Sequence, residues 1–140
     1  MSAKATFDLY LEPYLASRAP RMAAYSQQLA DFHHWVSTEV DAQANYTDRY
    51  AAPALETYDR NGEVINRIVT NPWYDEQHRE VYRRGIVGLR YAEGAPHLLT
   101  FAMGYILSQA DISLDCPVTL TGSVDTCLVR MLLRRCAGGS

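Results

Sequence analysis

The chain has 140 residues, 48% of them hydrophobic and 21% charged, with a formal net charge of −3. This size and balance suit one domain with a single core and exclude a disordered segment. The slight acidity argues against a protein that coats nucleic acid or anionic lipid, and no apolar run approaches the roughly 20 residues that span a bilayer.

Met1-Ser2-Ala3-Lys4 is followed by Asp8 and Glu12 rather than by an apolar stretch, so no signal peptide is expected. Lys4 is the only lysine, and the arginines form no long basic face. Cys116, Cys127 and Cys136 make no C-x-x-C pair and are odd in number, which points away from a zinc site or a disulfide framework. A reducing cytoplasm is the expected setting.

In chain order, Pro13 can open a short helix through Leu15 and Ala16. From Pro20 the residues Met22, Tyr25, Leu29, Phe32, Val36 and Val40 recur at steps of three and four. They form the apolar stripe of a long amphipathic helix that runs to about Arg49 and stops before Pro53. The period then changes. Thr57-Tyr58-Asp59 and Val64–Val69 flank Arg60-Asn61-Gly62-Glu63, and Asn-Gly predicts a hairpin closed by a type I′ turn. A two-stranded hairpin is marginal alone, so it is expected to lean on the helices.

Asn71-Pro72 reads as a helix cap and first residue, with Tyr74, His78, Val81 and Tyr82 on the buried side. Gly85, Gly88 and Gly94 break the chain. Pro96 then starts a helix from Leu98 to Leu107 that is apolar nearly all round and is expected at the centre of the core. Cys116-Pro117 opens a last helix whose apolar positions are Val118, Leu120, Val124, Leu128 and Leu132. The fold class is all-α with one small β-hairpin near residues 56–70.

Chemistry-bearing clusters are few. His33 and His34 are adjacent, so on a helix they point about 100° apart and cannot simply share a metal. Asp75, Glu76, His78 and Glu80, with Arg83 and Arg84, follow the spacing of a solvated helix face. Gly85-Ile86-Val87-Gly88 lacks the third glycine of a dinucleotide loop, and Gly122-Ser123 lacks a nucleophile-elbow pattern. No histidine is placed to activate Cys116, which is expected to be a small buried residue. The ten tyrosines, with Trp35 and Trp73, suit packing better than base stacking.

Two stretches carry a family likeness. Pro53-Ala54-Leu55-Glu56-Thr57-Tyr58-Asp59-Arg60-Asn61-Gly62-Glu63-Val64-Ile65, followed by Asn71-Pro72-Trp73-Tyr74, resembles the hairpin-plus-helix of AidB-like acyl-CoA dehydrogenases. Cys116-Pro117-Val118-Thr119-Leu120-Thr121 is similar to the opening of that group's last amino-terminal helix. With the apolar helix between them, the likeness covers residues 50 to 125. It implies an acyl-CoA dehydrogenase N-terminal-like helical domain over residues 1–140, with a tail atypical from about 125. It also implies a three-part flavoprotein whose central β-domain and carboxyl-terminal helical bundle lie outside this chain, as a truncated or frameshifted product would leave them. In the family FAD lies between those two parts, a glutamate of the bundle removes the α-proton of an acyl thioester, and hydride passes to the flavin.

The likeness therefore implies no catalytic, cofactor-binding or metal-binding residue here and no FAD bound by this chain alone. Thr119 and Thr121 become candidate walls of the acyl-chain cavity, or else hydroxyls that bond carbonyls one turn back. The last helix is expected to expose apolar surface where the β-domain docks, and the family is homo-oligomeric. The DNA-related surface of AidB-type proteins belongs to the other part. A second reading is a stand-alone helical module that dimerises or holds a partner through the same face.

Overall fold

The computed structural model describes residues 11–18, 20–92 and 95–137. Helix α1 (Glu12–Arg18) is followed by a 3₁₀ turn (Pro20–Tyr25). Helices α2 (Ser26–Trp35) and α3 (Asp41–Tyr50) are joined by a π turn (Val36–Val40). A hairpin of β1 (Ala54–Tyr58) and β2 (Val64–Val69) comes next. Then come α4 (Pro72–Arg83), a 3₁₀ turn (Gly88–Tyr91), α5 (His97–Ser108) and α6 (Ile112–Ala137). The fold is mostly α with one antiparallel two-stranded sheet.

The long amphipathic stripe forms with a difference in its winding. Met22, Leu29, Phe32, Val36 and Val40 are buried, as their spacing predicts, and Tyr25 packs half-buried beside them. The first turn is 3₁₀ because Tyr25, at φ −110° and ψ 6°, leaves helical geometry. Further on, the Asp41 amide bonds the Val36 carbonyl, a π-type step. The hydroxyls of Ser37 and Thr38 reach back to the His34 carbonyl at 3.1 and 2.7 Å, competing with the backbone ladder where it widens.

The core gathers that stripe with Leu15, Val81, Ile86, one side of α5 and the start of α6. Leu99, Met103, Ile106 and Leu107 are buried, but Leu98, Phe101 and Tyr105 are exposed, so α5 is dry on one side only. The expectation of a helix enclosed all round is corrected: among the described residues nothing covers the 98/101/105 face.

Asn71 caps α4 as expected, accepting from the Tyr74 amide at 2.9 Å. Its Nδ2 also donates to Thr47 Oγ1 at 2.9 Å and the Ala51 carbonyl at 3.3 Å, tying the end of α3 to the start of α4. The hairpin between them does not lean on the described helices. Only Thr57 of its strand residues is partly shielded, and Ile68 is 71% exposed. Its turn is also not type I′. Only Gly62 takes a positive φ there, +85°. Asp59 closes a three-residue loop instead, its carbonyl accepting from the Gly62 amide at 3.1 Å. Its Oδ1 accepts from the Asn61 and Glu63 amides at 2.8 and 2.9 Å, an arrangement that competes with the I′ geometry. Asn66, at φ 45°, marks a bulge between the pairs Glu56↔Arg67 and Tyr58↔Val64.

The last helix starts earlier than its Cys-Pro pair suggests. Asp111 Oδ1 accepts from the Ser113 and Leu114 amides, so the helix begins at Ile112 and Pro117 lies inside it. Proline has no amide to give the carbonyl four residues back, that of Ser113. The Tyr74 hydroxyl donates to that carbonyl at 3.2 Å instead.

Two outcomes test this account. Leu107→Ala is expected to cost about 2–5 kcal/mol in denaturant unfolding, because it empties a fully buried site. The amide bonds to Asp59 hold its carboxyl below the usual aspartate range. Their stabilisation is present above the unfolded-state pKa and is lost as pH falls through the depressed folded value. Amide exchange at Asn61 and Glu63 should therefore lose protection only in strong acid, while Asp59→Ala removes it at neutral pH.

Candidate functional site

A groove of about 980 Å³ lies between the Gly88–Tyr91 turn, the exposed side of α5 and one face of α6. Its α6 wall is Asp115, Val118, Thr119, Gly122, Ser123, Thr126 and Cys127, at helical steps of three and four. Phe101 and Tyr105 of α5 face that wall. The groove thus has small and polar residues on one side and aromatic ones on the other.

Arg90 is fixed at one end. Its Nη1 donates to the Gly122 carbonyl and to Thr126 Oγ1, both at 2.6 Å. The guanidinium lies so close over the helix that a Cβ at position 122 would meet its nitrogens at 3.4 Å, so glycine there makes room for it. Toward the other end stands Asp115. Its Oδ1 is shut off from water without a hydrogen-bond donor, beside Gly104, while Oδ2 receives only a long bond of 3.5 Å from Thr119 Oγ1. Burial pushes the Asp115 carboxyl pKa up, and the Thr119 bond offsets part of that.

The two threonines singled out by sequence separate. Thr119 lines the groove. Thr121 turns toward α4, with Oγ1 2.8 Å from the Pro117 carbonyl and 3.1 Å from the Tyr82 hydroxyl. Neither Arg90 nor Asp115 stands out in the sequence. The signal available was the small polar stripe from Asp115 to Thr126; nothing local marks Arg90, which reaches α6 across the fold.

The other clusters resolve into structure. His33 is buried and His34 exposed, on different sides of α2. Glu76 pairs with Arg83 at 2.9 Å and with Arg79 at 3.4 Å, and Glu80 lies 3.0 Å from Arg84. His78 packs between Tyr74 and Tyr82. Among the described residues no group of three or more His, Cys, Asp or Glu side chains could hold a metal. Cys116 and Cys127 are exposed thiols, so the expected burial of Cys116 is corrected: it lies on the outer side of α6, away from the core. The side chain of Cys136 lies outside the described residues.

A second surface runs beside the groove. Ile112, Cys116, Leu120, Val124, Leu128 and Met131 fall on one stripe of α6 and are all exposed. Together they make a contiguous apolar strip in water. No helix among the described residues is long and apolar enough to cross a membrane.

A family model of the adaptive response protein AidB N-terminal domain matches residues 4–135. The chain belongs to this family. It is an acyl-CoA dehydrogenase-like amino-terminal domain, and its helices and single hairpin agree with that class. Neither a curated protein nor a solved structure matches the chain.

FAD, which the family suggests, does not fit the groove. The α6 wall lies within the helix, where backbone amides are spent on the helix itself; Arg90 is already seated on the Gly122 carbonyl and Thr126, and Asp115 offers an acceptor where a pyrophosphate needs donors.

Because ionised Asp115 is disfavoured by burial, its folded pKa exceeds the unfolded one, and stability falls as pH rises through that window. Asp115→Asn is therefore expected to raise the melting temperature at pH 7. The gain should vanish below the unfolded carboxyl pKa, as thermal melts at several pH values would show.

Proposed function

We propose that this chain is the amino-terminal helical domain of an FAD-dependent acyl-CoA dehydrogenase-like oxidoreductase, inactive alone. In this reading residues 1–140 form one domain, and the α6 stripe docks on the family's central β-domain. Thr119 and Thr121 belong to the wall of the acyl-chain cavity, Thr119 directly and Thr121 by fixing the helix against Tyr82. The flavin and the base that removes the α-proton belong to the other domains. A reducing cytoplasm suits the exposed thiols of Cys116 and Cys127.

The observation that carries this reading is the exposed stripe. Leu120 is 63% exposed and Met131 65%, on a helix whose opposite side reaches the core through Leu114 and Val118. Leaving such a strip in water is unfavourable by about 25 cal/mol for each Å² that a partner would cover. The small side chains beside it form a wall that a hydrocarbon chain can approach closely.

The same stripe also suits a stand-alone module that pairs with a second copy, and the outcomes separate the two. The Leu120→Glu/Val124→Glu double variant should keep its helical circular dichroism, lose binding of an apolar-surface dye, and no longer associate with the separately produced remaining domains of an AidB-type protein. A stable wild-type dimer in light scattering that the same variant breaks, with no association with those domains, favours the module. The purified chain should be colourless and should reduce no electron acceptor with acyl-CoA. A yellow, FAD-loaded sample overturns the assignment of the flavin to other domains.

A further inference from the structure

The groove has a donor at one end and an unsatisfied acceptor toward the other. Along α6, Asp115 and the Gly122 carbonyl that seats Arg90 are roughly 10 Å apart by helix rise. The Arg90 guanidinium carries five N–H groups and one of its nitrogens makes both bonds to α6. Among the described residues no carboxylate pairs with it. Between the two ends Val118, Phe101 and Tyr105 supply apolar wall.

Asp115 is what a plain hydrocarbon pocket would not contain. One oxygen is buried without a donor, and its own helix supplies only the long contact from Thr119. A carboxylate torsion is soft, so a small rotation presents that oxygen to a ligand in the groove. A methyl group there leaves the acceptor desolvated and unpaired, whereas a hydroxyl satisfies it. A neutral hydroxyl is also less costly to desolvate than an ammonium.

We propose that the groove takes a medium-length acyl chain with an acceptor at its near end held by Arg90 and a terminal hydroxyl at its far end donated to Asp115. The substrate class is thus an ω-hydroxylated acyl group. This rests on the reading of the groove as acyl wall, and Asp115 is the specificity-determining residue.

Calorimetric titration of the full chain with octanoate, 8-hydroxyoctanoate and 8-aminooctanoate tests it. The hydroxylated chain should bind about tenfold tighter than octanoate, the factor of a hydrogen bond to a charged acceptor. Asp115→Leu, checked for folding by circular dichroism, should bind octanoate at least as well as wild type and lose the preference. Equal binding of octanoate and 8-hydroxyoctanoate by wild type, or a preference that survives in Asp115→Leu, overturns the inference and leaves the acyl wall standing. Tighter binding of the amino compound overturns the hydroxyl. Binding of none of the three overturns the wall and the inference together.

Discussion

Leu99, Met103, Ile106 and Leu107 bury one side of α5 against the π-interrupted helical rod and the first turns of α6, and this dry contact holds the described helices together. Each such side chain removed from water contributes about 1.5–3 kcal/mol, far more than any exposed ion pair of α4. The other side of α5 is left over. Phe101 and Tyr105 follow from the same sequence and the same helix but stay exposed, and they become a wall of the groove. Core and groove are the two sides of one helix.

The polar contacts act mainly at joints. Asn71 caps α4 while holding the end of α3, so the chain returns to the rod on both sides of the hairpin. Tyr74 satisfies the carbonyl that Pro117 leaves without an amide, and Tyr82 meets Thr121 one helical stretch later. These two tyrosines fix the rotation of α6 about its axis. That rotation turns Asp115, Thr119 and Gly122 toward α5 and leaves Leu120 and Val124 outward.

Much of the fold was legible because it is written in short-range rules. The spacing from Met22 to Val40, the Asn71-Pro72 cap and the hairpin strands each rest on local propensity or periodicity, and each element formed where expected. The departures also have local causes. Asp59 outcompeted the Asn-Gly turn by capturing two amides, and Asp111 moved the start of α6 upstream of Pro117. Neither needed distant information, only a tally of side-chain acceptors against backbone amides. Of the site, Thr119 was within reach of the family resemblance, whereas Asp115 gained its meaning from Gly104 on another helix.

The sequence by itself determined which segments are helical, which residues can be apolar on one face, and the family to which the chain belongs, since all three depend on order and spacing along the chain. Only the tertiary structure decided which apolar face is covered. An apolar stripe reads the same in sequence whether it meets Val36 or meets water, and pairing Leu99 rather than Phe101 with the rod is a choice made by three-dimensional packing. Arg90 over Gly122 and the unpartnered oxygen of Asp115 follow from that choice, because residues far apart in the chain come together only once the helices have settled which sides they bury.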